Sequence, residues 1–246
     1  MSQFAPHEAR KYTEFADKDT VARQLVDVIA DSSITVQRYR DTMVELGRAL
    51  ASKFILKIDK FSTDDLFVIC TVEDADFLAR GVIEQLDLSG LGNRIKLMCM
   101  WNESVQDEGI SLSPVLRQYR EEPTSTKASF IVVKSIISGA CVVKTNLTRA
   151  ISSSDPQQVF VVSPVLYVGA QERLALEFPP KIAEKFEYYW FATDSNKSGE
   201  DVVPGIGGRV YERLGFGNEA NKNKFTPQIV RQRRKLQGAY ALAATG

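Results

Sequence analysis

Five short apolar runs, separated by segments of helical periodicity, constrain this chain more than any other feature. LFVICTV (66–72), RIKLMCMW (94–101), ASFIVVKSII (128–137), QVFVVSPVLYV (158–168) and FEYYWFAT (186–193) are rich in β-branched and aromatic residues, the composition of buried strands. Between them, ADFLARGVIEQL (75–86), CVVKTNLTRAI (141–151) and AQERLALEF (170–178) carry apolar residues at helical spacing. Strands apolar along their whole length are covered on both faces, and strands alternating with helices of about ten residues build parallel sheets. The expected fold class is α/β, a doubly wound, mostly parallel sheet flanked by helices.

Ahead of the first strand, Asp19-Thr20 offers a cap for a helix through Val21, Leu25, Val26 and Ile29. Val36, Tyr39, Met43, Leu46, Leu50 and Phe54 follow at spacings of three and four, which puts them on one face of a longer helix. Arg38, Arg40, Asp41 and Glu45 fall on its polar remainder. Residues 1–18 are polar without periodicity and are read as an extension, 19–217 as the folded domain, and 218–246 as a basic C-terminal tail. The stretch 102–127 is polar, with turn signals and room for one extended hairpin.

Charge and rare residues exclude several classes of function. The chain has 246 residues with 31 Lys and Arg against 31 Asp and Glu, so no bulk field draws it to nucleic acid or anionic lipid. Its single histidine, His7, lies in the polar N-terminal stretch, which argues against a Ser-His-Asp triad or a multi-histidine metal site. Cys70, Cys99 and Cys141 are scattered through apolar runs, the pattern of buried thiols in a reducing compartment. With no secretory signal and no run long enough to span a bilayer, a cytoplasmic protein is expected. One local imbalance stands out: Lys222–Lys235 holds six Lys or Arg. Such a run is either a solvated surface helix or a docking tail for an acidic partner protein, membrane or nucleic acid.

In an open α/β sheet, ligands bind at the turns beyond the carboxyl ends of the strands. Three turns qualify: TVEDADF after the first run, VKSIISGAC after the third, and the VVPGIGG loop near residue 205. Ser138-Gly139-Ala140 places small residues between a strand and a helix start, where backbone N–H groups can face an anion. Spacing alone equally allows an ordinary tight turn there.

Taken in order, these segments resemble a uracil phosphoribosyltransferase over residues 20–217. VIADSSITVQRYRDTMVELGRALASKF is similar to that family's N-terminal segment, and FIVVKSIISGACVVKTNLTRAI to its strand, phosphoribosyl-diphosphate loop and helix. QVFVVSPVLYVGAQERL resembles the next strand and turn, and YYWFATDSNKSGEDVVPGIGGRVYERLGFG the uracil-specific C-terminal motif, VVPGIG being the most specific match. The resemblance implies a type I phosphoribosyltransferase fold, a dimer, and transfer of ribose 5-phosphate from phosphoribosyl diphosphate to uracil with Mg²⁺ on the diphosphate. It equates Ser138, Gly139 and Ala140 with the phosphate cradle. Val203, Pro204, Gly205, Ile206 and Gly207 match the base pocket, and Asp194 the acid preceding it.

The departures fall on charge. The family's phosphate loop opens with an acidic residue, where this chain has Val133 and Lys134. An ammonium cannot accept hydrogen bonds from ribose hydroxyls or supply an oxygen ligand to Mg²⁺. The family's Arg-Ala-Gly diphosphate turn is matched by Glu73-Asp74-Ala75, which repels the anion the turn should hold. Gly208 replaces an aspartate. Either Lys134 pairs with Glu73 or Asp74 and fills the site, or the two acids hold a metal that in turn holds diphosphate. The expectation is a degenerate site in a non-catalytic protein with no cofactor, a scaffold that binds a partner or senses a nucleotide- or uracil-like ligand. The alternative is an active pyrimidine-salvage enzyme making UMP, with Mg²⁺ required only in that case.

Overall fold

The computed structural model describes residues 10–107, 110–152 and 154–244. Its central sheet has six strands in the order Phe186–Tyr189, Pro156–Val162, Ala128–Val133, Asp65–Thr71, Ile95–Asn102 and Val115–Arg120. The first five are parallel, and 115–120 closes one edge antiparallel to 95–102. Alternation explains why the runs read as apolar throughout. Phe67, Ile69, Met98, Met100, Phe130 and Val132 pack with Val143 and Leu147 of the helix Cys141–Ile151 and Leu174 of Ala170–Leu176. Val68, Cys70, Leu97, Cys99, Ile131 and Val133 belong to the larger core that includes the helices Thr20–Ala30, Val36–Phe54 and Leu78–Leu88. With both faces covered, neither set has a polar alternate.

Three of the runs are each two strands rather than one. They break at Lys134-Ser135, Ser163-Pro164 and Trp190-Phe191, then resume as Ile136–Ile137, Val165–Tyr167 and Ala192–Asp194. The resumed pieces pair side by side in a second, four-stranded sheet. Its outer strand is Arg10–Tyr12, antiparallel to 192–194, so residues 10–12 join the domain. Pro164 has no N–H to continue a ladder. Its carbonyl instead accepts from the N–H groups of Phe191 and Ala192, both at 3.1 Å, while Ser163 Oγ donates to Val165 O at 2.8 Å.

Local signals set the helix starts. Asp19 caps Thr20–Ala30 by accepting from the Ala22 N–H, and Thr35 caps Val36–Phe54 by accepting from the Arg38 N–H. Tyr39, Met43, Leu46, Leu50 and Phe54 are buried as their spacing predicts, while Val36, in the first turn, is exposed. Among the described residues, no helix is long and apolar enough to cross a membrane.

Helices 36–54 and 78–88 meet through two glycines. A Cβ on Gly81 would lie 2.0 Å from Val44 O, and one on Gly47 would lie 2.1 Å from Leu78 O. Alanine favours a free helix by about 1 kcal/mol over glycine, yet here a methyl group would meet backbone that cannot rotate away. Gly81→Ala is expected to lower the unfolding free energy by about 2 kcal/mol, within the range for an overpacked core. Gly139→Ala, where no atom lies within 4 Å of the added Cβ, should be near neutral. Urea denaturation of the two variants checks the contrast.

Candidate functional site

The order of strands reverses its direction of winding between Ala128–Val133 and Asp65–Thr71. From 65–71 the chain moves to 95–102 on one side, and from 128–133 to 156–162 on the other. This switch point leaves a crevice beyond the carboxyl ends, the usual ligand position in such sheets. The short helix Val72–Ala75 and the break after Val133 face each other across it. Lys134 Nζ donates to Glu73 Oε1 at 3.1 Å and to Asp74 Oδ2 at 3.0 Å, and Thr71 Oγ1 donates to Asp74 Oδ2 at 2.9 Å. A second ammonium, Lys222 Nζ, lies 4.0 Å from Glu73 Oε2. All four charged residues are buried, so two carboxylates and two ammonium groups neutralise one another inside the protein.

Burial alone would raise the pKa of Glu73, but the charges of Lys134 and Lys222 outweigh it and hold the carboxyl below its ordinary range. Asp74 moves upward, because burial and the neighbouring Glu73 charge exceed the help from Lys134. Burial opposes the charge on Lys134, and Asp74 and Glu73 more than restore it, raising its pKa. Both carboxylates therefore share Lys134, while only Glu73 of the two stands beside Lys222. Each keeps an oxygen, Glu73 Oε2 and Asp74 Oδ1, without a hydrogen-bond partner among the described residues.

Ser138, Gly139 and Ala140 lead into the helix Cys141–Ile151, whose N-cap, Ala140, offers no side-chain cap. Ser138 and Ile136 form one side of a small cavity of about 90 Å³, facing Val202, Ile206 and Gly208. Glu200, Asp201 and Arg209 are its charged members. The structure thus brings the 138–140 loop beside the VVPGIGG loop. The space is well below the roughly 300–1,000 Å³ of pockets that enclose larger ligands.

The VVPGIGG loop is held by a residue that sequence reasoning passed over. Arg10 donates from Nε to Asp194 Oδ1 and from Nη2 to Asp194 Oδ2, both at 2.7 Å. Its Nη2 also reaches Gly205 O at 2.6 Å, while the Gly205 N–H donates to Asp194 Oδ2 at 2.8 Å. Asp194 is wholly buried. Burial works against the Arg10 charge, but Asp194 more than compensates and raises its pKa. Gly205 has φ of +54° and its Cβ would lie 2.2 Å from Val202 O; Gly207 has φ of +75° and would meet Ile29 O at 2.7 Å. Only glycine fits either place. Val203 is exposed at the loop's outer side, next to Pro204, while Ile206 is buried.

The basic stretch from Lys222 onward is packed in part against the fold. Lys222 is buried, and Arg233 Nη1 donates to Glu121 Oε2 at 2.7 Å. Arg231, Arg234 and Lys235 remain exposed. Two other cations of the polar stretch 102–127 contact the fold. Arg117 Nη2 bonds the carbonyls of Asn223 and Phe225, and Arg120 lies over the Phe67 ring. Lys127 sits at the amino end of the strands, where its carbonyl accepts from the Asp65 N–H, opposite the switch point.

Among the described residues, no group of three or more His, Cys, Asp or Glu side chains is placed to hold a metal. Glu73 and Asp74 both spend an oxygen on Lys134, and an ammonium stands where the resemblance would put a carboxylate. These residues do not fit Mg²⁺ at the switch point.

No family model matches the chain, and no curated protein matches it. Among solved structures, the AQ2163 protein from Aquifex aeolicus superposes with a TM-score of 0.62 at 15% identity, covering 80% of this chain and 94% of that one. That likeness supports the α/β fold alone. A hypothetical protein from Neisseria gonorrhoeae with bound ppGpp matches with a TM-score of 0.39 at 14% identity, over 63% of this chain and 80% of the other. The hypoxanthine-guanine phosphoribosyltransferase of L. donovani matches with a TM-score of 0.34 at 12% identity, over 70% and 89%. Both superpose too loosely to bear on the chemistry of this chain.

Proposed function

We propose that this chain is a non-catalytic protein on a uracil-phosphoribosyltransferase-like scaffold, which binds a small uracil-like ligand and serves a sensing or regulatory role. The observation that carries this reading is the neutral cluster of Glu73, Asp74, Lys134 and Lys222 at the switch point. Transfer of a phosphoribosyl group requires fixed positive charge and a metal aimed at the departing diphosphate. Here Lys134 and Lys222 are spent on the protein's own carboxylates, so a diphosphate would meet two buried acids with neither ammonium free to hold it.

Two further features support the ligand-binding part of this reading. The cavity between Ser138 and Ile206 is open, and the glycine loop is braced by Asp194 and Arg10. Loop backbone of this kind can offer donors and acceptors to the edge of a pyrimidine, and the limited volume favours a base over a whole nucleotide.

Isothermal titration with uracil, UMP and phosphoribosyl diphosphate, with and without Mg²⁺, tests the proposal beside an assay for UMP and diphosphate. Uracil is expected to bind, with no UMP formed at high protein concentration. Formation of UMP, or Mg²⁺-dependent micromolar binding of phosphoribosyl diphosphate, would overturn it in favour of an active pyrimidine phosphoribosyltransferase.

A further inference from the structure

The C-terminal segment does more than add a helix to the surface: it crosses the carboxyl ends of strands 65–71 and 95–102 and covers the switch point from outside. The chain enters it through Gly215-Phe216-Gly217, with both glycines at positive φ. The short helix Glu219–Lys224 follows, and then the helix Gln228–Ala244. Contacts to the crevice are specific. Ser104 N donates to Glu219 Oε1 at 3.0 Å, and Trp101 Nε1 donates to Phe225 O at 2.8 Å. The carboxylate of Asp76, just past the acidic turn, accepts from the N–H groups of Gln228 and Ile229 at 2.7 and 2.9 Å. An acid from a distant part of the chain thus satisfies the free donors at that helix start.

At the centre is Lys222, buried and aimed inward. Its Nζ donates to Asn102 O at 3.1 Å and Glu219 Oε1 at 3.4 Å, lies 4.0 Å from Glu73 Oε2, and sits 5.8 Å from the Tyr211 ring centroid. Oxygen acceptors and an aromatic face around one cation make an ammonium site. Glu73 Oε2, which faces Lys222, has no hydrogen-bond partner among the described residues, so the site has acceptor capacity that Lys222 leaves unused.

We propose that residues 218–229 form a latch over the switch-point crevice, with Lys222 as its internal cationic ligand, and that the uncovered site takes a primary alkylammonium group. When the latch lifts, Glu73 and Asp74 keep only Lys134, and the crevice carries a net negative charge that attracts such a cation. A lysine side chain presented by a partner has the matching chemistry. This inference stands apart from the ligand of the cavity beside Ser138, since its test involves no pyrimidine.

Trp101 reports the latch directly, because its ring is buried and its N–H is bonded to the strap. In a Trp190→Phe background, Lys222→Ala is expected to raise acrylamide quenching of Trp101 several-fold and to open the segment after Gly217 to trypsin. Propylammonium, which replaces the atoms that alanine lacks, should restore protection in the variant and leave the unaltered chain unchanged. Tetramethylammonium, a cation without N–H donors, should not restore it. Unchanged quenching in Lys222→Ala, or no difference between the two cations, overturns the proposal. Should the alanine variant fail to fold, Lys222→Met retains the apolar stem. Full protection of Trp101 in that variant would equally overturn the role of the charge, and increased quenching would support it.

Discussion

Replacing Lys134 by methionine is expected to destabilise the protein by about 3–5 kcal/mol at neutral pH, the cost of breaking a buried ion pair from one side. The variant leaves Glu73 and Asp74 side by side in the core with only Lys222, at 4.0 Å, to offset them. Their carboxyl pKa values should then lie above those of the unfolded chain. A raised folded-state pKa means that the folded variant binds protons more tightly, so its stability grows as pH falls through that raised value. In the unaltered protein Asp74 already shows a raised pKa, but Glu73 and Lys134 act in the opposite sense. The lowered pKa of Glu73 contributes stability above the unfolded carboxylate value that is lost as pH falls toward the folded one, and Lys134 contributes fully below its unfolded pKa. The gap between the two proteins should therefore narrow from pH 7 toward the unfolded carboxyl range near pH 4. Urea denaturation at several pH values measures it, and a gap independent of pH would show that lost packing, not unpaired charge, sets the cost. Glu73→Gln/Asp74→Asn/Lys134→Met, which removes both acids with Lys134 and leaves Lys222 its ion pair with Glu219, should recover much of the loss.

The same cluster shows where sequence reasoning reached and where it stopped. The opposed charges at Glu73-Asp74 and at Lys134 were legible as a candidate ion pair, because both turns follow apolar runs of strand character, and the pair is present. Lys222 was not. It belongs to a run of Lys and Arg that looks solvated, and its partner Glu73 lies some 150 residues earlier, a pairing that local periodicity cannot encode. Arg10 was hidden for the same reason, being separated from Asp194 by 184 positions. The strand runs were legible as strands but not as bent ones. ASFIVVKSII is apolar on both sides of Lys134-Ser135, so hydrophobicity continues where the hydrogen-bond ladder changes partners. Helix 36–54 was the easiest to read, since its face packs on a single body of core and the period survives intact.

Asp194 offers the second large effect, and one that acts at a distance from the cavity it supports. Asp194→Ala would leave the Arg10 guanidinium, whose side chain is 3% exposed, facing carbonyl oxygens alone, and would deprive the Gly205 N–H of its acceptor. An uncompensated buried charge of this kind costs about 3–5 kcal/mol, and the unpaired N–H adds to it. Because Gly205 is fixed through both its N–H and its carbonyl, the whole turn from Val203 to Gly207 should lose its anchor. Neither Asp194 nor Arg10 lines the cavity beside Ser138, so the turn is the route by which their loss would reach the proposed ligand. Calorimetric titration of Asp194→Ala with uracil, at a temperature where the variant remains folded, should show affinity at least tenfold lower, equivalent to about 1.4 kcal/mol. Arg10→Met/Asp194→Ala removes both charges and should cost less stability than the sum of Arg10→Met and Asp194→Ala, as expected for residues in direct contact. Because the double variant still lacks the acceptor for Gly205, it should bind uracil as weakly as Asp194→Ala despite its better stability. If the double variant recovered full affinity, the turn would be held by its own glycine geometry, and the ion pair would serve only to join Arg10–Tyr12 to the second sheet.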